Sequence, residues 1–137
     1  MKIAVLGAGM VGRAIALDLA RDFSVTSFDV NVANLALLKE KNERITTINT
    51  DLTAYEHYPE WLSVFDLVVT AVPGFMGFKT LEAVINTGKN VVDISFFPED
   101  ALQLDQMAKE KGVTVITDCG VAPGMSNFII GRYNAEM

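Results

Sequence analysis

Three glycines near the N-terminus have the spacing of a phosphate-binding loop. Gly7, Gly9 and Gly12 form the pattern Gly-x-Gly-x-x-Gly directly after the apolar run 2–6. In such a loop the first glycine permits a tight turn, the second lets the backbone approach a pyrophosphate, and the third lets a helix pack closely on a sheet. The helix then presents free amides and about half a positive charge to the anion. The pattern therefore predicts a dinucleotide-binding loop.

An acidic residue at the end of the second apolar run would complete this site. Asp29 lies 20 residues after Gly9, where a carboxylate accepts hydrogen bonds from the hydroxyls of an adenosine ribose. Asp29 could instead only cap the next helix, although Asn31 could do so as well. A 2′-phosphate would meet like charge at Asp29, and no Lys or Arg lies between Thr26 and Leu38. The sequence therefore favours NAD over NADP as the cofactor.

Other candidate residues follow the later strands, because ligands of a parallel sheet lie outside the carboxyl ends of its strands. Asp51 follows the third strand and could border the adenine or be an ordinary loop acid. A compact turn over 71–74 follows the fourth strand, and Ser95 follows the fifth at the expected nicotinamide end. The predicted cofactor-binding residues are Gly7, Gly9, Met10, Val11, Gly12, Asp29, Val30, Asp51, Ala71, Val72, Pro73 and Ser95.

Two aspartates at later strand ends are the candidates for a catalytic base. Asp93 ends the fifth apolar run and Asp118 follows the sixth, and no motif marks either as a base. After Asp118, two glycines and a proline lie within the five residues 120–124. We expect a rigid loop there that leads into a helix whose N-terminus could bind a carboxylate. The alternative is a structural connection into a second domain.

The composition excludes several classes of function. The 137 residues carry a formal charge of −6 and are half hydrophobic, as expected for one globular domain. No basic stripe is present for nucleic acid or an anionic membrane, and no apolar run reaches the ~18 residues of a membrane span. One cysteine, Cys119, and one histidine, His57, exclude an internal disulfide and a Cys/His zinc site. We expect a cytoplasmic protein without a metal.

Alternating strands and helices must position these residues. Short apolar runs predict strands over 2–6, 24–29, 45–49, 66–71, 90–94 and 113–117. The segments between and after them predict helices over 10–21, 32–41, 53–64, 77–87, 98–111 and 124–137. This alternation predicts an α/β fold, a Rossmann-type doubly wound parallel sheet of about six strands with helices on both faces.

With these motifs the sequence resembles the saccharopine dehydrogenase family, most closely its lysine 6-dehydrogenase-like members. The resemblance covers essentially the whole chain and is carried by segments 6–13, 71–75, 92–96 and 120–127. The last of these, Gly-Val-Ala-Pro-Gly-Met-Ser-Asn, is far more specific than the glycine pattern. The resemblance implies an N-terminal NAD(P)-binding Rossmann domain and a following domain with much of the substrate pocket and the dimer contacts.

The resemblance also implies an NAD-dependent dehydrogenase that acts on a C–N bond of an amino acid, as a homodimer in the intact protein. We expect residues 1–137 to form one dinucleotide-binding domain, truncated before the substrate and dimerisation domain and inactive alone. A regulatory NAD-sensing domain of a potassium-transport system is the alternative, because it would share the glycine loop and the acid. A scaffold that only dimerises is a third. Such a sensor is not expected to carry the Pro73-Gly74 turn or the Pro123-Gly124 loop.

Overall fold

Six parallel strands form one sheet in the computed structural model, which describes residues 1–137. The strands are β1 Lys2–Leu6, β2 Ser24–Asp29, β3 Thr46–Asn49, β4 Leu67–Thr70, β5 Asn90–Asp93 and β6 Val115–Ile116. Their order across the sheet is β3-β2-β1-β4-β5-β6. This is the order of the doubly wound dinucleotide-binding fold, whose strand order reverses between β1 and β4. The predicted fold class is confirmed.

Five helices connect the strands and cover both faces of the sheet, and a sixth follows the last strand and has no buried residue. They are α1 Met10–Leu19, α2 Val32–Lys41, α3 Tyr58–Trp61, α4 Gly74–Asn86, α5 Asp105–Lys111 and α6 Met125–Glu136. Two 3₁₀ turns, Tyr55–His57 and Ala101–Leu104, directly precede α3 and α5. None of the helices combines the length and the apolar character that crossing a membrane requires.

The central strand β1 separates two apolar cores. Its side chains alternate between the two faces of the sheet, as strand geometry requires. Ile3 and Val5 belong to one core, which includes buried residues of α1 and α2. Ala4 and Leu6 belong to the larger core, which includes buried residues of α3, α4 and α5. Because both faces of β1 are covered, its sequence is a continuous apolar run rather than an alternating one.

Two predicted helices are shorter than the sequence indicated. The helix expected over 53–64 is a 3₁₀ turn followed by the four-residue α3. Pro59 lies in the first turn of α3, where its missing amide breaks no helical hydrogen bond. The helix expected over 98–111 begins as a 3₁₀ turn, with the Asp100 carboxylate accepting from the amide of Leu102 at 2.9 Å. Proline and an N-terminal cap therefore set these boundaries.

The start of α4 was also predicted wrongly. The sequence indicated a helix from Gly77, whereas α4 begins three residues earlier, after Pro73. Gly77 lies inside α4, at a position where the packing leaves no room for a larger side chain. A Cβ atom at Gly77 would lie 2.5 Å from Cδ1 of Phe97. The extra turn brings the N-terminus of α4 to the carboxyl end of β4.

Candidate functional site

A cleft of about 540 Å³ opens where the strand order reverses, at the carboxyl ends of β1, β2 and β4. We call it the switch-point cleft. This is the place where doubly wound sheets bind their ligands, and the volume lies within the ordinary range of ligand pockets. Its lining residues are Gly7, Gly9, Met10, Val11, Gly12, Asp29, Val30, Asn34, Leu52, Ala71, Val72, Pro73, Phe75, Met76 and Ile94.

The three glycines of the loop have different surroundings. Gly7 has φ +103°, and a Cβ atom there would overlap the carbonyl oxygen of Ala71. A Cβ atom on Gly12 would overlap the carbonyl oxygen of Gly7. At Gly9 a Cβ atom would meet nothing within 4 Å, because this residue faces open space in the cleft. Packing therefore requires the first and third glycines, whereas the second leaves room for a ligand.

The first turn of α1 leaves its amides free. The amides of Met10, Val11 and Gly12 donate to no acceptor of the chain, and the amide of Arg13 is the first to donate, to the Gly9 carbonyl at 2.9 Å. All three residues with free amides line the cleft. Unpaired amides at a helix N-terminus, where the helix dipole is positive, bind anions such as phosphate. The α1 terminus can therefore hold a pyrophosphate without a lysine.

The N-terminus of α6 differs from that of α1. The amides of Met125, Ser126 and Asn127 donate to carbonyl oxygens of residues 120–124 at 2.9–3.0 Å. The amide of Gly124 donates to Oδ1 of Asn127 at 3.3 Å. The expectation that this helix start binds a carboxylate is wrong, because the chain's own oxygens already occupy its amides. Segment 120–127 instead has the closed hydrogen bonding of a structural connection.

Asp29 is held at the mouth of the glycine loop by two backbone amides. Its Oδ2 accepts from the amide of Ala8 at 2.5 Å, and its Oδ1 accepts from the amide of Asn31 at 2.7 Å. The side chain that caps α2 is Asn31, whose Oδ1 accepts from the amides of Ala33 and Asn34. The Asp29 carboxylate therefore does not cap α2. It is half-buried and lines the cleft.

Most of the predicted cofactor-binding residues line this single cleft, but Asp51 and Ser95 do not. The ten that do are Gly7, Gly9, Met10, Val11, Gly12, Asp29, Val30, Ala71, Val72 and Pro73. Asp51 is exposed, and its Oδ1 accepts from the amide and the hydroxyl of Thr53 at 2.9 and 2.7 Å. These hydrogen bonds lower the pKa of Asp51. The neighbouring Leu52 lines the cleft in its place.

Sequence reasoning missed several residues of the cleft. Phe75 and Met76 lie in the first turn of α4, and their place directly after the Pro73-Gly74 turn was an available signal. Ile94 directly follows β5. Asn34 belongs to α2, and nothing in its local sequence marks it as a cleft residue. A helix-interior asparagine reaches this site only because α2 packs beside the glycine loop.

The candidate base Asp93 lies beneath the cleft surface. Its carboxylate is fully buried, and Oδ1 accepts from the Thr70 hydroxyl and from the amide of Ser95, while Oδ2 has no partner. Cys119 donates its thiol to the Asp93 carbonyl at 3.2 Å. Burial raises the pKa of Asp93, and it also raises the pKa of the Cys119 thiol. The geometry of Asp93 fits a link between β4, β5 and the β6 loop better than contact with a substrate.

The second candidate base, Asp118, faces a smaller cavity next to the cleft. This side cavity has a volume of about 260 Å³ and shares Val11 and Ile94 with the switch-point cleft. Ser95 and Asp118 line it as well. Asp118 is exposed and has a left-handed backbone with φ 55°. A ligand that lies along the cleft and past Ile94 would end beside this carboxylate.

Comparison with known families also indicates a dinucleotide-binding domain. A family model described as the saccharopine dehydrogenase NADP-binding domain matches residues 3–116. The chain is 28% identical to the NADP(+), L-glutamate-forming saccharopine dehydrogenase of Pyricularia oryzae in an alignment of 130 positions that covers 91% of this chain and 28% of that protein. It is 25% identical to mitochondrial alpha-aminoadipic semialdehyde synthase of Rattus norvegicus, over 93% of this chain and 14% of that protein.

Solved structures share the fold. The apo saccharopine dehydrogenase (L-Glu forming) of Saccharomyces cerevisiae has a TM-score of 0.86 and 23% identity, covering 98% of this chain and 31% of that one. A UDP-N-acetylglucosamine 3-dehydrogenase from Acidithiobacillus ferrooxidans has a TM-score of 0.69 and 22% identity, covering 85% of this chain and 36% of that one. The chain thus spans less than a third of the length of the P. oryzae, R. norvegicus and S. cerevisiae proteins.

The buried carboxyl of Asp93 predicts a pH dependence of stability. The folded protein holds the Asp93 proton more tightly than the unfolded chain does, so its stability falls as the pH rises from about 4 through the raised pKa. Asp93→Asn removes this loss, which amounts to about 1.4 kcal/mol for each unit by which the pKa is raised. Urea unfolding across this pH range should show the variant gaining stability relative to the parent. The exposed Asp22→Asn is the control, and a parallel pH profile for Asp93→Asn and parent would contradict the prediction.

Proposed function

The chain belongs to the saccharopine dehydrogenase NADP-binding domain family, and on this premise we propose that it binds a nicotinamide dinucleotide in the switch-point cleft. One observation carries the proposal. The free amides of Met10, Val11 and Gly12 lie at the face where Gly9 leaves open space, and Asp29 is fixed beside them. An anion followed by a sugar is the ligand chemistry that this arrangement fits.

Different residues of the cleft would bind different parts of the dinucleotide. The free amides of α1 would hold the pyrophosphate, and Asp29 would accept hydrogen bonds from the adenosine ribose. Val72, Pro73 and Met76 give the wall formed by β4 and α4 an apolar surface, suited to the uncharged parts of the cofactor. When bound, the nicotinamide supplies the acceptor or donor of a hydride.

Asp29 favours NAD within this proposal. Each oxygen of its carboxylate accepts a hydrogen bond from one backbone amide. Each oxygen also has a second lone pair that can accept a hydrogen bond from a ribose hydroxyl. A 2′-phosphate at the same place would bring two negative groups together. The P. oryzae relative is named for NADP(+), whereas in this chain the Asp29 carboxylate would favour NAD.

The complete protein is proposed to oxidise or form a C–N bond of an amino acid with hydride transfer at the nicotinamide. The side cavity would receive the reacting end of the substrate, and Asp118 is the candidate base that lines it. A second domain would supply the rest of the substrate pocket and the contacts of a homodimer. The family match supports this function over that of an NAD-sensing domain of potassium transport.

Asp29→Asn should weaken NADH binding by about 10- to 100-fold, because a hydrogen bond to a charged group contributes ~1.5–3 kcal/mol. NADPH binding should change by about threefold or less, or improve, since the variant removes like charge. Titration calorimetry with both cofactors measures this difference, with the exposed Asp22→Asn as a control. Equal losses for NADH and NADPH would separate Asp29 from cofactor selection.

Gly9→Ala should keep the fold and lose the ligand. The φ of Gly9 is −61°, which alanine adopts readily, and its Cβ atom would meet no protein atom within 4 Å. We expect the free energy of unfolding to stay within about 0.5 kcal/mol of the parent, while NADH affinity falls about tenfold or more. Gly131→Ala, whose Cβ also meets nothing, lies inside α6, so it should leave the NADH affinity unchanged and raise the free energy of unfolding by about 0.5–1 kcal/mol. A Gly9→Ala protein that binds NADH like the parent would contradict the proposed position of the pyrophosphate.

The complete protein should reduce NAD in the presence of an amino acid. A panel of basic and branched amino acids, beginning with lysine, is to be screened by the absorbance of NADH. The matched control is the Gly9→Ala variant of the same protein, which should show little turnover. NADH binding without turnover on any amino acid of the panel would favour the sensing function instead.

A further inference from the structure

Arg13 is a cation without a carboxylate partner, and it donates to Asn34, a residue that lines the switch-point cleft. It follows Gly12 on α1 and is half-buried. Its Nη1 donates to the carbonyl oxygen of Ala8 at 3.1 Å and to Oδ1 of Asn34 at 2.9 Å. The ion pairs of the structure involve other cations, including Arg21 and Arg132. Lys39, Arg44 and Lys89 also donate only to carbonyl oxygens. Among these cations, Arg13 is the one that donates to a residue of the switch-point cleft.

A single residue connects Arg13 to Asp29. The amide of Ala8 donates to the Asp29 carboxylate, and the carbonyl of the same residue accepts from the Arg13 guanidinium. The two opposite charges therefore flank one residue of the glycine loop. Asn34, the other partner of Arg13, lines the cleft. The guanidinium is thus fixed next to the place where the proposed function puts the adenosine ribose.

The remaining donors of Arg13 are free. Its Nη2 and Nε donate to no group of the chain, so one edge of the planar guanidinium is available. Such an edge matches two oxygens of a phosphate, and this pairing is stronger than one between neutral groups. Asp29 alone would repel a phosphate at this position, and Arg13 would offset that repulsion.

We propose that Arg13 is a specificity-determining residue that binds the 2′-phosphate of NADP(H), so that this domain accepts both cofactors. The inference rests on the proposed function, since it assumes a dinucleotide in the switch-point cleft. Asp29 favours the free ribose hydroxyl and Arg13 favours the phosphate. The ratio of the two affinities is then set by two side chains of opposite charge on either side of Ala8.

The test compares the parent with Arg13→Met and Arg13→Lys. Calorimetry measures the affinities for NADH and NADPH, and for 5′-AMP and adenosine 2′,5′-bisphosphate, a pair that differs only in the 2′-phosphate. We expect the parent to bind both dinucleotides. Arg13→Met should weaken NADPH and the bisphosphate by about tenfold or more and NADH and 5′-AMP by about twofold or less. Arg13→Lys, which keeps the charge but not the planar fork, should lie between them.

A control variant distinguishes the effect of the guanidinium from that of Asn34, which holds it in place. Asn34→Ala removes one hydrogen bond of Arg13 but leaves its charge, so the loss of NADPH affinity should be smaller than in Arg13→Met. Urea unfolding checks that each variant is folded. If Arg13→Met does not fold, the affinities of the parent are compared with those of Arg13→Lys. In the parent, NADPH binding should also weaken more steeply with salt than NADH binding does.

Three results would overturn the inference. One is an equal loss of NADH and NADPH in Arg13→Met, which would make Arg13 only a clamp between α1 and α2. Another is a loss in Asn34→Ala as large as that in Arg13→Met. The third is a parent protein that binds NADH but not NADPH, and this result would leave the proposed function intact. A parent that binds neither dinucleotide would instead reject the proposed function itself.

Discussion

The free amides at the start of α1 are the constraint on which the rest of this structure depends. A helix cannot pair its own first N–H groups, and here no other part of the chain pairs them either. The glycine loop creates this state, since Gly12 and Gly7 let α1 begin within van der Waals contact of the turn after β1. The buried central strand holds that turn in place. The fold and the proposed anion site therefore both depend on this local geometry.

Two helices of this chain begin after a glycine, and their N-termini differ because of what surrounds them. At α1 no oxygen of the chain accepts from the amides of Met10, Val11 and Gly12, and Gly9 opens onto the cleft. At α6 the loop 120–124 folds back and supplies acceptors to each of the first amides. The same apparent motif thus makes a binding surface in one place and a closed connection in the other. The two termini differ in whether their first amides have hydrogen-bond acceptors, and not in the glycine that precedes them.

Charge is distributed over the site in two layers. At the surface, Asp29 and Arg13 lie on either side of Ala8, where we propose that the adenosine end of the cofactor binds. Beneath it, Asp93 is buried and tied to Thr70 and Ser95, and its pKa is raised because water is excluded. The surface charges are available to a ligand, whereas the buried carboxyl organises the strands below. The two aspartates therefore have different roles, because Asp29 is accessible to a ligand and Asp93 is buried.

The amino-acid sequence by itself determined the parallel sheet, the glycine loop and the acid after β2, because each depends on residues close together in the chain or on a regular period. It could not determine which strand-end residues reach the cleft, so Asp51 was included and Leu52 was not. Tertiary structure alone brought Arg13 and Asn34 together beside Asp29 and buried Asp93. Each of these depends on the distance between remote segments, and that distance is set by packing of the whole domain.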